Sequence, residues 1–194
     1  LVAVTAQAAD WTALLSQAAG RRAEKYPAGL LRDRAGASEW LKSRWLPQKL
    51  GLPDVEWQIG RNGKPLLAGK AQEWGFNLSH AGDYVVAILA RGAQVGVDLE
   101  SLARHADIER LGRRVFSESE RAQVRVGGRE SFFTLWSQKE ALLKAVGCGW
   151  ADGDIVRCTR LEQQAFQQEP VTGVRVWSRH VVGGAYVLAA AVVA

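Results

Sequence analysis

The stretch Val95-Gly96-Val97-Asp98-Leu99-Glu100 decides how this chain is read. Val95, Val97 and Leu99 alternate with Gly96, Asp98 and Glu100, the period-two pattern of a strand with one apolar face. Asp98 and Glu100 then share the other face, roughly 6.5 Å apart, within reach of one hard cation. A second stretch, Trp136-Ser137-Gln138-Lys139-Glu140-Ala141, lies in a helix predicted from about Glu130 to Val146. At ~100° per residue, Phe132, Leu135, Trp136, Leu142, Leu143 and Val146 form one apolar arc, and Lys139 and Glu140 fall inside it. A buried charge costs several kcal/mol unless it is paired or bound to a metal, so two ionisable side chains on the buried side point to a site. The plainer alternative is an ion pair, Lys139 with its neighbour Glu140 or Glu140 with Lys144 at i, i+4.

Working outward, the 194 residues suit one substantial domain or two small, closely packed lobes. No apolar run reaches the ~18 residues that span a bilayer, and the first residues lack the order of a signal peptide, so a soluble protein is expected. Cys148 and Cys158 are the only cysteines. Two thiols make neither a disulfide scaffold nor a thiolate metal site, and a reducing, cytoplasmic location is the expectation. The net charge of +5 is modest, but Arg21, Arg22, Lys25, Arg32, Arg34, Lys42, Arg44 and Lys49 crowd one early stretch. That favours an anionic partner: a polyphosphate cofactor, an acidic protein or nucleic acid. A solvated basic helix face is the plainer reading of the same run.

Residues 10 to 25 are predicted as a first helix, ended by Pro27 and Gly29, and Ala35 to Leu50 as a second, ended by Gly51 and Pro53. Arg44 follows Trp40 by four and Leu41 by three, which puts it on the apolar side, where an arginine needs an anionic partner. Strands are predicted at Val55 to Gly60, Gly75 to Leu78, Tyr84 to Ala90 and Gln94 to Leu99, with turns at Asn62-Gly63 and Ala81-Gly82-Asp83. In the second half, Ser117 and Glu120 have capping-box spacing for a helix that starts after Phe116. Ile155 to Thr159, Val174 to Trp177 and Ala185 to Val193 are predicted strands. Each half then has helices plus about three strands, an α+β arrangement.

Several chemistries are absent from the sequence. It has no Walker A loop, no dinucleotide-type glycine fingerprint, no His pair at i, i+4 and no Gly-x-Ser-x-Gly elbow. Ser79 and His80, by contrast, end a predicted strand just before a turn, where a hydroxyl and a ring N–H can donate to an anion. Gly63-Lys64-Pro65 holds a lysine beside a stiff proline.

Five motifs in order, Asn62-Gly63-Lys64-Pro65, Phe76-Asn77-Leu78-Ser79-His80, Val95 to Glu100, Phe116-Ser117-Glu118-Ser119-Glu120 and Trp136 to Lys144, resemble those of the Sfp-type 4′-phosphopantetheinyl transferases. The family includes a short bacterial branch that acts as holo-acyl-carrier-protein synthase. The resemblance implies an α+β pseudodimer of two similar lobes, here residues 1–100 and 101–194, with the active site in the cleft between them. It implies a Mg²⁺-dependent enzyme that moves phosphopantetheine from coenzyme A to a serine of an apo acyl or peptidyl carrier protein and releases 3′,5′-ADP. Asp98, Glu100 and Glu140 match the metal ligands, with Glu100 ligating directly or through water, and Lys144 matches the lysine on the pyrophosphate. Ser79 and His80 match positions near the coenzyme's phosphates, and Lys64 and Arg44 match basic positions at its nucleotide end. Arg34 is a looser match, because Arg21 to Tyr26 only faintly follow the family's basic-aromatic opening, and the start at Leu1 is consistent with a truncated or processed chain.

For the general base the resemblance leaves Glu140, Glu120 or a metal-bound water, with Glu140 favoured because it faces the metal while Glu120 fits a capping box. Lys139 is assigned a structural role. A monomer that binds neither nucleic acid nor membrane is expected. The competing readings are a basic nucleic-acid-binding protein and a coenzyme A-binding paralogue without transferase activity.

Overall fold

A computed structural model describes residues 1–5, 11–150 and 173–193. The first half begins with strand β1 (Val2–Thr5) and the short helices α1 (Trp11–Leu14) and α2 (Gln17–Ala23). Helix α3 (Leu30–Trp40) then runs through a π-helical turn, Leu41–Trp45, into α4 (Leu46–Leu50). A small hairpin of β2 (Trp57–Ile59) and β3 (Pro65–Leu67) precedes the longer hairpin of β4 (Trp74–Ala81) and β5 (Tyr84–Arg91), which turns at Gly82-Asp83. The second half is β6 (Gln94–Ser101), α5 (Ile108–Val115), the long α6 (Glu118–Val146) and the hairpin of β7 (Val174–Val181) and β8 (Tyr186–Val193). Among the described residues, no helix is long and apolar enough to cross a membrane.

Two three-stranded antiparallel sheets organise this α+β chain, in the orders β1-β5-β4 and β6-β8-β7. The plan is the same in both: a first strand, then helices, then a hairpin whose second strand pairs with the first. β6 begins before residue 100 but is hydrogen-bonded into the second sheet, with Asp98 opposite Ala189 and Glu100 opposite Val187.

The alternation along β6 is realised. Val95, Val97 and Leu99 pack with Val86 and Ile88 of β5 and Leu188 and Ala190 of β8, which joins the two sheets through one apolar layer. On the opposite face, Ala141 and Ala145 of α6 lie against the second sheet. Gly96 is the contact point. A Cβ placed there would sit 1.9 Å from the Ala141 carbonyl oxygen and 2.5 Å from the Ala145 nitrogen. α6 can lie this close to β6 only because position 96 has no side chain.

The helices depart from the predicted pattern in instructive ways. Residues 10 to 25 hold two short helices rather than one, with Ser16 capping α2 through the Ala19 N–H. The Ser117–Glu120 capping box forms as expected, but α6 is broken at Gly128, whose φ of 61° and ψ of −142° suit a glycine. Helix α5 and strands β1 and β3 were not anticipated, since each is short and lacks a sustained period. The predicted strand Ile155 to Thr159 lies outside the described residues.

Arg44 requires a correction. It is exposed, not turned to the apolar side, because the π-helical turn Leu41–Trp45 carries more residues per turn than an α-helix and shifts the phase of everything after Trp40. The buried glutamate of α3 is Glu39, paired with Arg22 at 2.5 Å and with Lys42.

Gly96→Ala is expected to lower stability by about 1–3 kcal/mol, the usual cost of forcing atoms into a packed contact. At about 2–4 °C per kcal/mol for a chain of this size, thermal denaturation followed by circular dichroism would show it. Gly20→Ala, in a helix where the added Cβ meets nothing within 4 Å, should raise the midpoint or leave it unchanged.

Candidate active site

β6 and β4 are both edge strands, and their edges face each other without a backbone ladder. Polar groups on the free edge of β6 are satisfied by side chains instead. The Val97 N–H donates to Asn77 Oδ1 at 3.0 Å and the Leu99 N–H to Ser79 Oγ at 3.3 Å. The Val97 carbonyl accepts from Lys144 Nζ at 3.3 Å, and the Val95 carbonyl from Lys64 Nζ at 3.3 Å. Unmet buried backbone groups are costly, so these four side chains fasten the strand that carries Asp98.

Around Asp98 the bonding is nearly saturated. Ser79 Oγ donates to Asp98 Oδ1 at 3.1 Å and accepts from the Leu99 N–H and from Lys144 Nζ, the latter at 3.1 Å, which fills its one donor and two acceptor positions. Lys144 Nζ places its three donors on Ser79 Oγ, the Val97 carbonyl and Asp98 Oδ1, the last at 2.7 Å. Asp98 Oδ2 is buried and has no partner. That oxygen is the open valence of the cluster.

A cleft of about 670 Å³ opens on this cluster. Ser79, His80, Asp98, Glu100, Glu140 and Lys144 all line it, as do Arg34, Arg104 and Trp136. The sequence-derived set from β4, β6 and α6 is thus brought into one place. Each acid leans toward its own donor: Asp98 toward Lys144, Glu100 toward Arg104 in an ion pair, and Glu140 toward the Trp150 indole N–H at 2.5 Å. In this arrangement no three acids, histidines or cysteines among the described residues are placed to share a metal ion.

The electrostatics show how crowded the acids are. Burial, with the charge of Asp98 added, raises Glu100 above the ordinary glutamate value despite the Arg104 guanidinium. Burial also raises Glu140, where Asp98 works in the same direction and Trp150 and Lys144 oppose it. His80 is held below the ordinary imidazole value, first by burial and then by the Arg34 guanidinium, which favours the neutral ring at pH 7. The Arg34 Nε donates to the Gly82 carbonyl at 2.6 Å, which places it by the turn after His80.

Two basic residues expected at the nucleotide end do not line this cleft. Arg44 is turned away by the π-helical phase shift described above. Lys64 reaches the far end of α6, where Nζ donates to the Ala145 carbonyl at 2.7 Å, the Val95 carbonyl and Gln94 Oε1, and the neighbouring Asn62 Nδ2 donates to the Gly147 carbonyl at 3.1 Å. Arg34, the looser sequence match, is the arginine in the cleft. Glu120 is also elsewhere: fully buried, it closes the capping box and forms an ion pair with buried Lys139 at 3.0 Å. Lys139 therefore has the structural role assigned to it. Trp150, just after Gly147-Cys148-Gly149, also donates to Glu140 and was not among the expected site residues.

Burial pulls Lys64 down to about 8. Its ammonium is less favoured in the folded than in the unfolded chain, so the unfolded state binds more protons between about 8 and the ordinary lysine value. Stability should therefore rise with pH across that window through this residue. Lys64→Met should lose this pH-dependent component, as read from urea midpoints of the two proteins between pH 7.5 and 10.

Residues 94–191 match the family model of the 4′-phosphopantetheinyl transferase superfamily. The chain is 34% identical over 128 residues to the 4′-phosphopantetheinyl transferase AcpT of Escherichia coli, covering 64% of this chain and 63% of that protein. It is 33% identical over 153 residues to the 4′-phosphopantetheinyl transferase HetI of a Nostoc species, covering 75% of this chain and 65% of the relative. It is 31% identical over 154 residues to the L-aminoadipate-semialdehyde dehydrogenase-phosphopantetheinyl transferase of Xenopus laevis, covering 71% of this chain and 49% of the relative. The chain thus covers less than two thirds of each relative's length. The matched segment opens at β6, with Asp98 and Glu100, and takes in all of α6, with Glu140 and Lys144. This chain belongs to the 4′-phosphopantetheinyl transferase superfamily.

Proposed function

We propose that this chain transfers 4′-phosphopantetheine from coenzyme A to a serine of an apo acyl or peptidyl carrier protein. The observation that carries the reading is the convergence of Asp98, Glu100, Glu140 and Lys144 with Ser79 and His80 in one cleft of a chain from this superfamily. The repeated strand order of the two sheets supports a pseudodimer of two lobes. The cleft, lined from β4 in one sheet and from β6 and α6 in the other half, supports an active site between them.

The donors suit a hard cation. All three acids offer oxygen, one buried oxygen lacks a partner, and burial, with the charge of Asp98 added, raises Glu100 and Glu140, a cost that a bound cation would offset. Asp98, Glu100 and Glu140 would hold Mg²⁺, which when bound neutralises charge building up on the leaving group. The chain's own cations complete the anion site. Lys144 and Arg34 attract the coenzyme's diphosphate, and neutral His80 donates one ring N–H to it without adding charge. The carrier serine Oγ attacks the β-phosphorus, its proton passes to a Glu140 oxygen directly or through water, and the bond to 3′,5′-ADP breaks. Glu140 suits the task because its carboxylate lines the cleft with Asp98 and Lys144. Glu120, locked in its capping box and against Lys139, does not reach the cleft.

The test is mass spectrometry of apo acyl and peptidyl carriers incubated with the protein, coenzyme A and Mg²⁺. The phosphopantetheine mass increment is expected on at least one carrier, and no gain on any carrier would overturn the reading. Glu140→Ala should slow transfer by about 10²–10⁴-fold, the range of a lost general base, and Asp98→Ala should do at least as much, with the far-ultraviolet circular dichroism of both unchanged. Full activity in Asp98→Ala would sink the metal assignment.

A further inference from the structure

Glu140 differs from its two acidic neighbours in what holds it. Asp98 is paired with an ammonium and Glu100 with a guanidinium, but Glu140 accepts its hydrogen bond from an uncharged indole, Trp150 Nε1 at 2.5 Å. We infer that Trp150 is a positioning residue for Glu140, fixing one carboxylate oxygen so that the other is presented to the cation and the carrier serine. The inference rests on the transferase reading above.

The geometry makes the indole a rigid donor. After α6 the chain reverses at Gly147, and the Cys148 N–H returns to the Leu143 carbonyl at 2.9 Å. Three residues on, the Trp150 ring stacks on Trp136, with centroids 4.7 Å apart and planes 26° from parallel. Trp136 is itself stacked on Phe132 at 5.8 Å, and the Arg104 guanidinium lies over its ring. Trp136 and Glu140 are one helical turn apart, so a ring resting on position 136 carries its edge to position 140. The stack on Trp136, itself held by Phe132, restrains the indole, and such pairs add attraction beyond the area they bury.

The chemistry of the donor matters as much as its place. An indole N–H only donates, and it brings no charge. It orients the carboxylate and leaves the negative charge of Glu140 available. Partners of this kind, which touch a ligating side chain rather than the metal, commonly carry a tenfold to hundredfold effect on affinity.

Mn²⁺ serves as the probe, its binding followed by electron paramagnetic resonance on the whole chain. Trp150→Phe keeps a ring to stack on Trp136 and removes only the N–H. It should weaken Mn²⁺ binding by about tenfold, leave the thermal midpoint within a degree or two, and lower kcat while KM for coenzyme A holds. Trp150→Leu, which removes the stack as well, should lose at least as much Mn²⁺ affinity. Equal Mn²⁺ affinity in Trp150→Phe and the unmodified chain would overturn the inference while the transferase reading stands. Loss in Trp150→Leu alone would also overturn it, since the stack and not the hydrogen bond would then be what counts. If the unmodified chain binds no Mn²⁺, the metal assignment falls and this inference falls with it.

Discussion

Everything in the site depends on how the free edge of β6 is closed. A strand edge of unpaired N–H and C=O groups is normally covered by another strand or by water. Here it is covered by Asn77, Ser79, Lys64 and Lys144, four side chains drawn from β4, the loop before β3 and α6. A backbone ladder between β4 and β6 would have left no room for side chains between the strands. The use of side chains keeps the two sheets apart at this point and leaves the space that becomes the cleft.

The same substitution explains why the polar residues of the site serve two purposes. Ser79 ties the Leu99 N–H to the structure and also braces Asp98, and Lys144 ties the Val97 carbonyl and also balances the Asp98 charge. Support of the Asp98 carboxylate and strand anchoring draw on the same atoms. A change at either residue therefore alters both, and a loss of activity there does not by itself identify a ligand contact. Lys64 shows the opposite case: its three donors are taken by backbone and side-chain oxygens around α6 and β6, away from the cleft, and it ties the strand to the end of the helix.

The parts of the site that were legible in the sequence are those encoded by local period. Asp98 and Glu100 share a face because strands alternate, and Glu140 faces inward because the helical phase holds along the second arm of α6. Lys139 lies in the same arc, but its partner Glu120 sits nineteen positions earlier, beyond the break at Gly128, and no local spacing pairs them. Arg44 was misplaced because a π-helical turn is invisible to a 3.6-residue count, whereas Arg34, a looser match because the opening motif is faint, bonds to the β4–β5 turn and lines the cleft. Trp150 depends on a chain reversal and an aromatic stack, both of which are tertiary facts.

The shared plan of the two sheets also governs the order in which the site can be assembled. Among the described residues β6 pairs with β8 alone, so the strand bearing Asp98 and Glu100 must wait for a segment some ninety residues later in the chain. Contacts of such long sequence separation form slowly, because the intervening loop must be closed before any hydrogen bond rewards it. During synthesis the first sheet, with Ser79 and His80 already in place on β4, can be complete while β6 still lacks its ladder. The strand that bears Asp98 and Glu100 thus gains its ladder only once the β7–β8 hairpin has been made.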